Sequence, residues 1–188
     1  MREFEQVQIV KLSADVIDRA RTFARRVVGT VNYDDSGQSN AKKIEDDHFV
    51  SKLGEEAVAS VYRLLGEEVK GPDYTIYKGR RKSWAHDLFV DEVGLAVKTQ
   101  RRSAARRYGL SWTFQAGKTR RDPILDSPEA WVCFVAFDDL DGANTCYVYP
   151  TYRIKDCPFK APRLKRLIDS KIVVYVADLK FERRKLQG

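Results

Sequence analysis

Apolar residues recur every three or four positions in two stretches near the N-terminus, and then the period shortens to two. In "SADVIDRARTFARRVVG", Val16, Ala20, Phe23, Ala24 and Val27 fall on one face of a helix. Ser13 is placed to cap it, Asp15 lies in its first turn and Gly29 can end it. In "DDHFVSKLGEEAVASVYRLLG", a second stripe of Val50, Leu53, Ala57, Val61 and Leu64 predicts another helix, closed by Gly66. The intervening "NYDDSGQSNAKKIEDD", residues 32–47, is rich in turn formers and predicts a mobile or ligand-responsive connector. Beyond Gly66, short runs of β-formers predict strands over 74–77, 87–90, 95–100, 112–114, 131–137, 146–149 and 172–177. "APRLKRLIDS" predicts a short helix before the last of them. The order α, α, several strands, α, β implies an α/β fold, a mixed sheet flanked by helices. A chain of 188 residues suits one domain over 1–188, with a helical region to about 46 and the core from about 47.

Composition narrows the function classes. Hydrophobic residues make up 43% and charged residues 32%, and no apolar run approaches the ~20 residues of a membrane span. The N-terminus "MREFEQVQIVKL" lacks a signal-peptide core. Cys133, Cys146 and Cys157 are odd in number and widely spaced, and with only His48 and His86 beside them they form no zinc pattern. A reduced, cytoplasmic compartment fits. Charge is unevenly distributed: residues 78–121 hold twelve Lys/Arg against three Asp/Glu, a local balance of +9 in a chain of +7, which leaves −2 elsewhere. The cations cluster at Lys78, Arg80, Arg81 and Lys82, at Arg101, Arg102, Arg106 and Arg107, and at Lys118, Arg120 and Arg121. Three such clusters around the same two strands point to a polyanionic partner.

"HDLFVDEVGLAVKTQ", residues 86–100, places a lysine inside a run that otherwise reads as a buried strand. Strand side chains alternate, so Ala96, Lys98 and Gln100 share one face while Leu95, Val97 and Thr99 share the other. On the preceding strand Asp87 and Phe89 share a face, opposite His86, Leu88 and Val90. A hairpin through "DEVG" brings Asp87 near the Ala96/Lys98 face, and a buried lysine needs a carboxylate or phosphate partner. Each residue alone also has a plain structural reading. Asp87 can be a strand-end residue, Glu55 and Glu56 a solvated helix flank, and Pro72-Asp73 a turn; Trp112 and Phe114 read as core.

These residues together resemble the PD-(D/E)xK, or restriction-endonuclease-like, nuclease superfamily, over roughly residues 48–138. The matching pieces are Asp87, "AVK" at 96–98, Gln100, and a helix acid at Glu55, with Glu56 as its alternative. The continuation "YGLSWTFQAGKTRRDPIL" is similar to small phage or prophage nucleases. The resemblance implies a restriction-endonuclease-like core. It also implies a Mg²⁺-dependent DNA endonuclease, Mn²⁺ substituting, with Asp87, residue 96 and the Val97 carbonyl as metal ligands. Such an ion lowers the pKa of bound water and neutralises charge on the phosphate. Lys98 would orient that water or stabilise the developing charge. The departure is Ala96, which stands where the family has Glu or Asp and removes one ligand.

An inactivating substitution and a natural loss of activity both fit Ala96, and the intact Asp87, Lys98 and Gln100 favour the first. The leading expectation is therefore a DNA endonuclease impaired in this form. The competing one is a non-catalytic DNA-binding protein on the same fold, and an RNA-binding protein is a weaker third. The nucleic-acid contacts expected are Arg80, Arg81, Lys82, Arg101, Arg102, Arg106, Arg107, Lys118, Arg120 and Arg121. Cutting both strands with one active site per chain would favour a homodimer.

Overall fold

The computed structural model describes residues 1–28, 30, 40–77, 86–140 and 144–182, and for Arg107 the backbone alone. Gly29, residues 32–39 of the connector, and Lys78, Arg80, Arg81 and Lys82 lie outside the described residues. The chain forms a mixed α/β structure around a six-stranded sheet of order β1-β7-β6-β4-β3-β2, with a separate two-stranded ribbon, β5-β8. In chain order these are β1 (Gln8–Lys11), α1 (Ala14–Val27), α2 (Ala41–Leu64), β2 (Val69–Lys70), β3 (Leu88–Val90) and β4 (Val93–Arg101). They continue with α3 (Ala105–Tyr108), β5 (Ser111–Gln115), β6 (Trp131–Asp138), β7 (Thr145–Arg153) and β8 (Lys171–Tyr175).

The apolar stripes read from the sequence are buried in both long helices except at the half-buried Val16 and at Leu64, which is 86% exposed at the end of the second. Ser13 Oγ accepts the Val16 N–H at the start of α1, and Ala20, Phe23, Ala24 and Val27 are buried. α2 begins earlier than the apolar stripe indicates. Asn40 caps it by accepting the Lys43 N–H at 3.1 Å, so residues 41–47 are helical rather than connector. Their polar character reflects exposure of that first stretch, which hides the helix from a periodicity search. The 46/47 division therefore falls inside α2.

The strand pattern is recovered in most places and corrected in others. Residues 74–77 are not a strand. Asp73 instead organises a turn there, accepting the Thr75 N–H and the Tyr77 hydroxyl, both at 2.8 Å. Two short edge strands, β1 and β2, carried too few residues to stand out. "APRLKRLIDS" contains a single 3₁₀ turn at Lys165–Leu167 rather than an α-helix. The β3–β4 hairpin turns at Asp91 and Glu92, both with positive φ (44° and 66°), the pair of left-handed residues that a two-residue turn between twisted strands requires.

β4 and β6 run parallel in the centre and are covered on both faces. Leu95, Val97, Cys133, Val135 and Phe137 pack with α1 and α2 in one core. Ala96, Val132, Phe134 and Ala136 pack in a second, against Trp112 and Phe114 of the ribbon. The Trp112 indole donates to the Val135 carbonyl at 2.8 Å, tying the ribbon to the sheet. Trp112 and Phe114 are thus core, as the plainer reading had it. Cys133, Cys146 and Cys157 are free and buried, and burial pushes the thiols of Cys146 and Cys157 up to about 12. Among the described residues no helix is long and apolar enough to cross a membrane.

α2 packs closely on β4 where Gly54 meets Thr99. A methyl group at Gly54 would overlap the Thr99 side chain. Gly54→Ala should cost about 2 kcal/mol or more in denaturant-unfolding experiments, because the helix must lift off the sheet. Thr99→Ala alone should be nearly neutral, since Thr99 Oγ1 is buried without a hydrogen-bond partner, and it should recover much of the loss in the double variant.

Candidate functional site

The hairpin carries Asp87 to the point where β3 stops. β4 continues beyond that point, so the Val97 N–H has no strand partner there. The Asp87 carboxylate takes its place, with Oδ2 accepting that N–H at 2.8 Å, while the Asp87 N–H donates to the Leu95 carbonyl at 3.0 Å. Asp87 therefore lies against the backbone of the 96–98 triplet. His86 packs over Gly94 and against Phe89 at 5.4 Å.

Parity sets the rest. Lys98 and Ala96 face the ribbon, away from the α2 side. The Ala96 methyl is 7% exposed and contributes to the second core. Lys98 stands beside Phe134 in the neighbouring strand and 4.6 Å from the centroid of the Phe114 ring. Its ammonium ends on Asp122, donating to Oδ2 at 2.7 Å. The Asp122 carboxylate also accepts the Gln115 N–H at 3.2 Å. The partner that the sequence required for Lys98 is thus an acid beyond β5, reached only through the fold. Gln100 turns its Oε1 back to the Arg101 N–H at 2.9 Å. Its outer side lines a pocket of about 150 Å³ with Thr113, Ser111 and Tyr175 of the ribbon.

The helix acids belong to a different ensemble. Glu55 and Glu56 are each 3% exposed, and so they are far from a solvated flank. Glu55 accepts from the Lys52 ammonium, itself only 5% exposed, and from Ser51 Oγ at 3.4 Å. Glu56 accepts from Arg19 of α1 and from the Tyr74 hydroxyl at 3.0 Å. The Lys52 ammonium also lies over the rings of Phe23 (5.1 Å) and Tyr74 (5.5 Å), which offsets part of its desolvation. Burial, with Glu56 nearby, drives the Tyr74 hydroxyl well above the usual tyrosine range. Lys52, Arg19 and Tyr74 gave no sequence signal. Lys52 lies off the apolar stripe of α2, and its burial comes from α2 being covered on several faces.

The expected nucleic-acid contacts divide by how free they are. Arg102 is committed to the buried Asp138 and stacks over Tyr147. Arg101 lies 3.6 Å from Asp46 and 3.9 Å from Asp139, whose carboxyl stays low because the Ser103 hydroxyl and N–H outweigh the effect of its burial. Arg121 pairs with Asp126 at 2.8 Å. Arg106, Lys118 and Arg120 are exposed and make no ion pair among the described residues.

A Mg²⁺ shell needs several hard oxygens in near-octahedral order. At the 96–98 triplet Asp87 supplies one carboxylate, already accepting an N–H, and Ala96 supplies no side-chain oxygen. Among the described residues no group of three or more His, Cys, Asp or Glu side chains is gathered to hold a metal. The donor set as it stands does not fit the ion. The chain matches no family model, no curated protein and no solved structure.

The buried acids separate a structural role from a chemical one. Glu55→Ala should cost about 3 kcal/mol or more of stability, since it strips the buried Lys52 of its carboxylate. Replacing both together, Lys52→Met with Glu55→Leu, should restore most of it in the same unfolding experiment. A Glu55→Ala variant of undiminished stability would instead mark Glu55 as a residue held for chemistry.

Proposed function

We propose that this chain acts on DNA from a PD-(D/E)xK-type nuclease framework, with Mg²⁺-dependent phosphodiester hydrolysis impaired in this form by Ala96 and DNA binding retained. The observation that carries this reading is the contact of the Asp87 carboxylate with the Val97 backbone, one residue from Lys98 and directly beside the acid-free position 96. An acid at 96 would put a second hard oxygen next to Asp87, and that is the one element the arrangement lacks. A homodimer would suit cleavage of both strands.

The pairing of Lys98 with Asp122 favours a second reading, a DNA-binding protein with no hydrolytic step. A lysine already neutralised at 2.7 Å is a poor stabiliser of developing phosphate charge unless DNA displaces its partner. Plasmid cleavage with Mg²⁺ or Mn²⁺ separates the two. Ala96→Glu should gain cleavage by a factor of ~100 or more over the present chain, the equivalent of about 3 kcal/mol of transition-state stabilisation. Lys98→Ala in that background should abolish the gain. A folded, DNA-binding Ala96→Glu variant that cuts nothing would leave the non-catalytic reading.

DNA binding has its own measurement. Each neutralised phosphate contributes about −0.9 to the slope of log K against log salt on duplex DNA. Replacing Arg106, Lys118 and Arg120 together should flatten that slope more than replacing Arg101 and Arg102, whose charges are engaged with Asp46, Asp139 and Asp138. Salt-independent affinity would reduce the basic region to a solubility feature.

A further inference from the structure

The end of the β5–β8 ribbon assembles cations that the sequence keeps far apart. Lys171 opens β8 directly opposite Gln115, the last residue of β5. The chain after Gln115 makes a tight turn, closed by the Asp122 N–H on the Gln115 carbonyl and an Ala116–Arg121 bridge. That turn is laid onto β8, the Ala116 N–H donating to the Ser170 carbonyl at 2.9 Å. Arg120 at the turn and Lys171 beneath it are thereby held together, and Asp122 at the turn's base carries Lys98.

Lys171 is half-buried and makes no ion pair among the described residues. Burial depresses its pKa first, and the charges of Arg120, Lys98 and Lys43 depress it further against the single opposing effect of Asp122. Asp122 is already engaged by Lys98, and Lys43 reaches toward its own helix partner Asp47 at 2.9 Å. The first turn of α2, from which Lys43 projects, contains no acid. A half-buried ammonium among other cations is costly, and a multiply charged anion with several oxygens reduces that cost.

We propose that Lys171 and Arg120 bind a phosphate group of a nucleic-acid backbone. The choice of nucleic acid as the carrier rests on the function proposed above; the anion site itself rests on the ribbon geometry. Lys171 is a residue the basic clusters of the sequence do not include, because "DSKIVV" carries one lysine and one aspartate and no excess of charge.

The full chain is heated in sodium phosphate and in sodium chloride at equal ionic strength, as wild type, Lys171→Met and Lys171→Arg. Phosphate stabilises folded proteins generally by exclusion, so the readout is the difference between variants. The wild type should gain on the order of 3 °C over Lys171→Met at phosphate about ten times its dissociation constant. Lys171→Arg should keep the gain. In chloride Lys171→Met should melt no lower than wild type, which shows that the methionine is tolerated. Equal phosphate responses in wild type and Lys171→Met overturn the site, as does a Lys171→Met variant that melts several degrees lower in chloride. A duplex oligonucleotide titrated across salt supplies the second arm, in which Lys171→Met should reduce the slope by about 0.9. A Lys171-dependent phosphate response without any DNA binding upholds the anion site and overturns the DNA reading. DNA binding with an unchanged slope in Lys171→Met overturns the site and leaves that reading standing.

Discussion

Everything near the candidate site follows from β4 having both faces covered. A strand packed by helices on one side and by a ribbon on the other has no solvent-facing side chains in its middle. Leu95 and Val97 join the helical core, Ala96 joins the ribbon core, and Lys98 is left half-exposed over the Phe114 ring. A lysine there must find a partner inside the molecule or bind one from outside. Asp122 is the internal partner. The close seat of α2 at Gly54 and the ribbon's tether from Trp112 to Val135 fix both covers in place.

Asp87 illustrates how a structural role and a chemical role can share one side chain. Its carboxylate finishes the ladder where β3 ends, which is a sufficient reason for an aspartate at that position. The same contact holds it against the triplet that ends in Lys98. A carboxylate at 96 would share this corner, and in its absence the methyl of Ala96 extends the apolar core instead.

Two ionic ensembles flank the sheet, and they differ in charge balance. On the helical side buried Lys52, Glu55 and Glu56 form a compensated set with the exposed Arg19, beside Phe23 and Tyr74. On the ribbon side Lys98 pairs with Asp122, while Lys171 and Arg120 make no ion pair among the described residues. The compensated set has the character of a structural network, whereas the uncompensated one has the character of a binding surface. Lys52, Glu55 and Glu56 of the first are almost fully buried, and partial access to the second leaves room for an anion.

The sequence by itself determined the two amphipathic helices, the central strands, a hairpin through residues 91–94, and the need of Lys98 for a partner. Those rest on periodicity, turn chemistry and desolvation, which act between residues near in the chain or on one residue alone. The α/β class with a mixed sheet and flanking helices follows from the same signals. Only the tertiary structure decided that the partner is Asp122, that Glu55 and Glu56 are buried beside Lys52, and that the turn carrying Arg120 is laid onto β8 beside Lys171. Those contacts join residues through strand register and layer packing, and neither is written in local spacing. The polar first turns of α2 and the short edge strands escaped for a simpler reason: an exposed helix start and strands of two or four residues carry too little apolar pattern to be read.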